Sequence, residues 1–271
     1  MTFSVKEIIK QRKSVRTFDE KPLSYADRKR LEAFVSSMDN PFGVPVEFRL
    51  LEAKENQLSS PVIVGEATYL AAKVKQVEHF EIAYGYSFEK ACLYAQSLGI
   101  GTVMLAASLS RSTFEKAMDV HDDEVLPTAS PVGYPSKKRS IRETLMRKGL
   151  KADERIPFEE LFFDGSFGLA LKEENAGVFA VGLEMARLAP SAGNKQPWRA
   201  IVNGNKVHFY EQKSMKDSPL GDIQKVDVGI ALSHFDLTMS ENSVSGDFVF
   251  ADPGIAVPGN VYYITTYERN A

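Results

Sequence analysis

The sequence predicts an α+β fold. Runs with apolar residues at helical spacing begin behind N-capping signals. Short apolar or alternating runs lie between turn-forming residues. The two kinds of segment mix along the whole chain.

In order, "SVKE" (residues 4–7) is a capping box that starts a helix through Val5, Ile8 and Ile9, ending near the cations of "RKSVR" (12–16). "SYAD" (24–27) opens a second helix carrying Leu31, Phe34 and Val35. "VEFRLLEA" (46–53) alternates and then turns apolar, as a strand does, and "SPVIVGEA" (60–67) predicts a short buried strand. Residues 86–100 form a strongly apolar helix stopped by Gly99 and Gly101, and "TVMLAA" (102–107) follows as strand or loop. Residues 126–140 predict a strand and turn, and 156–163 an extended arm and helix start. After Phe163 the pattern begins again: a helix over 176–189, a hairpin over 198–212 around "NGN", an amphipathic helix over 225–240 and a strand over 260–269.

The chain has 271 residues, 44% of them hydrophobic and 25% charged, enough to bury a core without covalent staples. A net charge of -3 gives no case for nucleic-acid or acidic-lipid binding. The single Cys92 cannot form an internal disulfide and fits a reducing cytoplasm. The N-terminus has no apolar signal region, and no run of 18 apolar residues exists, so neither secretion nor a membrane span is expected. His79, His121, His208 and His234 lack ligand spacing, so no metal site is expected.

A shift of 152 residues lays "LEAFVSSMDNPFGVPVEFRLL" (31–51) on "LEMARLAPSAGNKQPWRAIVN" (183–203), matching Leu31 with Leu183, Glu32 with Glu184 and Pro45 with Pro197. A shift of 144 aligns Gly85 with Gly229 and Leu93 with Leu237. These matches predict a duplication with halves at 1–163 and 164–271, joined in one compact unit. The decay is complementary. The basic cluster at 12–16 falls on "DGSFG" (164–168), and "PSAGNKQPW" survives only in the second half.

Arg12, Lys13 and Arg16 around Ser14 can surround a dianion, since guanidinium forks match phosphate oxygens. The same cations can instead complement a helix C-terminus. Pro190, Ser191, Gly193 and Asn194 build a tight loop, either an ordinary helix–strand connection or one that offers amides to a ligand. No GxGxxG fingerprint is present.

"RKSVRTF" (12–18) resembles the opening signature of the flavin-dependent nitroreductase family, and "APSAGNKQPW" (189–198) its second signature. "YAQSLGIGTVMLAA" and "VLPTASPVGYPSKKR" resemble its central helix with the following loop and its Gly-Tyr-Pro strand. Because the good second signature lies in the second half, the chain resembles the fused, pseudo-dimeric branch of that family. The resemblance implies a nitroreductase-like fold, an internally duplicated pseudo-dimer, with FMN held where two halves meet. It places Arg12, Lys13, Ser14 and Arg16 at the phosphate, with Arg155 as a further cation and Lys151 a poorer match. Pro190, Ser191, Ala192 and Asn194 would line the flavin from the other half. Backbone amides of Ala106 and Ala107 would face flavin N5, where the family often has glycine or Glu-Gly. The opposite site would pair residues 164–168 with "SMDNPFG" (37–43) and, carrying Asp164 in place of a cation, would fail.

By the same resemblance the chain is an enzyme: a cytoplasmic FMN-dependent oxidoreductase taking a hydride from NADH or NADPH and reducing small flat acceptors such as nitroaromatics or quinones. No side-chain nucleophile or metal is needed, because the flavin carries the chemistry. It would work as a monomer, with further self-association left open. A non-catalytic flavin or nucleotide binder, and an α+β protein whose motifs are residual, are the alternatives.

Overall fold

The computed structural model describes residues 4–65 and 68–270. Helix α1 (Val5–Gln11) starts where the Ser4 hydroxyl accepts the Glu7 amide, and α2 (Tyr25–Ser36) starts where Ser24 accepts that of Asp27. Strand β1 (Val46–Glu52) follows. The strand expected over 60–67 is not formed by the described part of that segment, which makes turns and one isolated bridge, Thr17 to Val64; residues 66 and 67 lie outside the described residues. The buried strand comes next, as β2 (Thr68–Lys75), with seven of its eight residues buried. Pro61 and Gly65 break the apolar run before it.

Helix α3 (Phe80–Ser97) leads to the short β3 (Gly101–Thr102), and α4 (Arg111–Met118) precedes β4 (Glu124–Val125) and β5 (Ala129–Gly133). The first sheet runs β1-β2-β5-β3, with β4 also on β2. Helices α5 (Ile141–Gly149) and α6 (Phe158–Leu161) carry the chain out of this half. Strand β6 (Phe162–Asp164) then pairs in parallel with β7 (Trp198–Asn203), so the boundary expected after Phe163 falls inside a strand of the second sheet.

Between them lies α7 (Ala180–Arg187); after them come β8 (Lys206–Gln212), α8 (Ile223–Glu241), β9 (Gly246–Val249) and β10 (Val261–Arg269). The second sheet runs β6-β7-β8-β10-β9. Apart from β6 and β4, both sheets share one plan: two antiparallel neighbours, then the strand that ends the half, then the strand after the long helix.

Helices α3 and α8 pack along each other between the halves, the most extensive helix contact in the fold. Their closest approach needs glycine on both sides. A Cβ on Gly85 would lie 2.0 Å from the Val226 carbonyl oxygen, and one on Gly229 would lie 2.3 Å from that of Ile82. Each pair is related by the same 144-residue shift, so residue contacts residue reciprocally, as across a two-fold axis. Helix α8 was expected to be amphipathic. It is buried on most faces, polar residues included, because α3, α7 and the second sheet all pack on it.

Candidate active site

A cavity of about 910 Å³ opens between the halves. The first half contributes the end of α1, the loop after β3 and part of α5; the second contributes residues 190–193, the segment 215–221 and the start of α8.

One end is cationic. Arg12, Ser14 and Arg16 line it, and the segment they sit on is pinned by Val15, whose amide donates to the Thr102 carbonyl (2.9 Å). Arg12 is held by Glu89 of α3 (3.3 Å). Arg16 differs: its Nε and Nη1 are buried with no hydrogen-bond partner among the described residues. Burial pushes its pKa down, against the opposing pull of Glu143 and with Arg147 and Arg12 adding to the depression. Arg147 donates to the Ser14 carbonyl (3.5 Å) and pairs with Asp153.

The wall from the second half rests on the loop after α7. Gly193, Asn194 and Gln196 have φ of 58°, 56° and 49°, a tight left-handed path. The Ser191 hydroxyl accepts the Gln196 amide (2.9 Å), and both carboxylate oxygens of Asp227 accept the Ala192 amide (3.0 Å each). Burial pushes the Asp227 carboxyl well above its ordinary range.

The far wall is the loop 103–109. Arg111 fixes it, donating to the carbonyls of Ala106 (2.8 Å), Pro127 (3.3 Å) and Leu126. The amides of Ala106 and Ala107 make no hydrogen bond to described residues, and both residues line the cavity.

Of the expected residues, the cavity therefore brings together Arg12, Ser14, Arg16, Ala106, Ala107, Pro190, Ser191 and Ala192. Lys13 is exposed and lines a separate cavity of about 610 Å³. Arg155 and Asn194 face away. Arg155 donates to the carbonyls of Leu188 (3.2 Å) and Glu154 (2.8 Å), while the Asn194 amide donates to those of Lys151 (2.8 Å) and Glu154 (3.1 Å). Together they clasp the crossing segment 151–156 to the loop.

The "Putative TM nitroreductase" family model matches residues 4–239. The chain belongs to this family. A structure of a "putative nitroreductase" from Thermotoga maritima MSB8 matches with a TM-score of 0.65 at 21% identity, covering 99% of this chain and 94% of its own. A structure described as an oxidoreductase containing FMN matches with a TM-score of 0.51 at 13% identity, covering 62% of this chain and 96% of its own. No curated protein matches by sequence. The fold is thus the nitroreductase fold, and a relative that fits whole onto part of the chain agrees with a pseudo-dimer. Membership of the nitroreductase family supports a general oxidoreductase role.

Within this nitroreductase frame, the ground opposite the cavity is filled. The 144-residue shift carries Ile223 and Ile230 of the cavity wall to His79 and Tyr86, and the 152-residue shift carries Asn194 to Phe42. Those three gather with Phe248 and Phe250. Ring centroids are 5.7 Å apart for Phe42–Tyr86, 5.3 Å for Phe42–Phe248 and 3.5 Å for the stacked His79–Phe250 pair. Residues 164–168 are not part of this group. They fold back on the edge of the second sheet, where Phe167 packs on Tyr210 (5.1 Å), so the expected pairing with 37–43 does not form.

Sequence reasoning missed Glu89, Arg111, Arg147 and Asp227. Glu89 and Asp227 did leave a signal, as acids set among apolar residues in helix runs. Arg111 and Arg147 sit in α4 and α5, two short helices that were not foreseen.

Proposed function

We propose that this chain is an FMN-dependent NAD(P)H oxidoreductase with one internal site, built from residues 1–163 on one side and 164–271 on the other, and that it reduces flat acceptors of the nitroaromatic or quinone class. The observation that carries this reading is the Arg16 guanidinium, with Nε and Nη1 buried and unpartnered among the described residues, beside Arg12 and Ser14 at one end of a cavity that is otherwise mostly apolar. A buried cation without an anion is costly, and a phosphate dianion would relieve that cost with charge-assisted hydrogen bonds. The same cavity offers Val103, Leu105, Ile223, Val226 and Ile230 to a flat ring, and the free amides of Ala106 and Ala107 to its polar edge. The residues present therefore fit FMN.

When bound, the flavin supplies hydride transfer between a nicotinamide donor and an acceptor. The chain's own work is binding and orientation. Arg16, Arg12 and Ser14 hold the phosphate. Asp227 holds the Ala192 amide and so fixes the loop 190–193 against the cofactor. Arg111 fixes the opposite loop by its three carbonyl contacts. Met146 of α5 and Leu150 just after it, with Met215 and Leu220, add apolar side chains to the cavity lining.

The test is an absorption spectrum of the purified protein, with and without added FMN, followed by anaerobic NADH or NADPH. A flavin spectrum that bleaches with the nucleotide and returns with a quinone or nitroaromatic is expected. Bound colour that resists both nucleotides would leave a flavin binder without turnover. A protein that takes up no FMN would overturn the reading.

A further inference from the structure

Glu89 is an acid in a cavity that otherwise suits an anion, and it is fully buried. Its Oε1 lies 3.3 Å from Arg12 Nε and 2.9 Å from His234 Nε2. His234 is also fully buried, on α8, and its Nδ1 lies 3.0 Å from the Met185 carbonyl oxygen of α7. A carbonyl only accepts, so Nδ1 carries a proton. The other nitrogen then faces a carboxyl oxygen at hydrogen-bond distance, and a bond there needs a second proton, on Nε2 or on Glu89. Either way the Glu89–His234 pair is neutral as a unit. It therefore orients Arg12 through Nε without cancelling its charge, leaving the two Nη groups for an anion.

We propose that Glu89 and His234 are positioning residues for Arg12: their shared proton keeps the Arg12 charge available to the phosphate of a bound flavin nucleotide. This rests on the flavin reading above. It couples the halves, because Arg12 and Glu89 come from the first and His234 from the second.

The test measures FMN and riboflavin dissociation constants by flavin fluorescence for the full chain, its H234Q and E89A variants and the E89Q/H234Q double variant. H234Q removes the compensating proton, so Glu89 becomes a bare carboxylate that pairs with Arg12 and competes with phosphate. FMN affinity should fall roughly ten- to a hundredfold, the worth of one charge-assisted contact, and riboflavin affinity should hold. The double variant, with no carboxylate to compensate, should return FMN affinity to within about threefold of wild type. If H234Q does not fold, E89A keeps the test decisive: it removes the oxygen that orients Arg12 Nε, so FMN affinity should fall about tenfold while riboflavin affinity holds.

Equal weakening of FMN and riboflavin by H234Q would assign the pair a purely structural role and overturn the proposal. So would failure of E89Q to rescue H234Q, or an E89A variant that leaves FMN affinity unchanged or weakens FMN and riboflavin equally. A wild-type chain that binds neither ligand overturns the flavin reading itself, a result distinct from all of these.

Discussion

Replacing Arg16 by methionine should make the empty protein more stable and the cofactor bind more weakly. Methionine keeps an unbranched apolar stem and removes the guanidinium. In the absence of ligand, two of that group's nitrogens are buried without partners. Such groups cost about 1–3 kcal/mol, and because Glu143 attracts the guanidinium the low end applies, about 1 kcal/mol. For a chain of this size that raises Tm by roughly 2–4 °C. Binding moves the other way. Losing one charge-assisted phosphate contact, about 1.5–3 kcal/mol, weakens FMN by roughly ten- to a hundredfold.

The two effects cross. At an FMN concentration about 100 times the wild-type Kd, wild type gains about 2.7 kcal/mol, whereas a variant about thirtyfold weaker gains about 0.9. The variant then reaches about 1.9 kcal/mol above the empty wild type, so the ranking of melting temperatures inverts. Thermal unfolding with and without FMN reads both numbers. If Arg16→Met lowers Tm without ligand and leaves FMN affinity unchanged, Arg16 is a structural cation and the phosphate assignment fails.

Three further outcomes are expected. Arg12→Ala with Arg16→Ala, and separately Ala192→Trp, should each lose FMN; mixing the two proteins should not restore flavin colour, because one chain holds the whole site, and recovered colour would show that sites form between chains. Gly229→Ala should destabilise by about 3 kcal/mol or more in urea unfolding, because its Cβ would meet a backbone carbonyl at 2.3 Å that cannot yield; a loss under about 1 kcal/mol would contradict the helix crossing. Burial, with nearby Asp222, pushes the Glu211 carboxyl from its ordinary 4.5 up to about 7. The folded state holds that proton more tightly, so this group's share of stability is present below 4.5 and is lost as pH rises through 7. Glu211→Gln should therefore raise Tm at pH 8 and not at pH 4, and a gain that does not depend on pH would refute the shift.

Much of the fold was legible because local chemistry and tertiary contacts agreed. The Ser4 and Ser24 caps, the "NGN" hairpin and the apolar run of α3 each specify their element without help from distant residues. Strand β2 was not legible. Its run "TYLAAKVK" holds alanines and lysines, and only burial between β1 and β5 makes it a strand. The site divided in the same way. Arg12, Ser14 and Arg16 were readable because alternate positions on one extended segment reach the cavity directly. Asn194 was readable as a loop residue, but what its amide touches depends on where the segment 151–156 crosses, and no spacing in the sequence encodes that crossing.

The duplication was weakly legible for a physical reason. Along α3 and α8, positions that carry the helix crossing are kept. Gly85 and Gly229 each clear the other helix's backbone, and Leu93 and Leu237 share one small apolar cluster. Each such contact is made twice, so a change on either copy is felt by both halves. Positions between and beside these face different surroundings and have diverged: His79 against Ile223, Ala83 against Asp227, Tyr86 against Ile230, Glu89 against Ser233. On one side these residues line a cavity or fix its cation; on the other they include the aromatic packing around Phe42. On the function proposed above, one set of lining residues suffices, and the counterpart positions pack on one another instead. The symmetry therefore persists in the backbone crossing and is lost in the side chains that would bind.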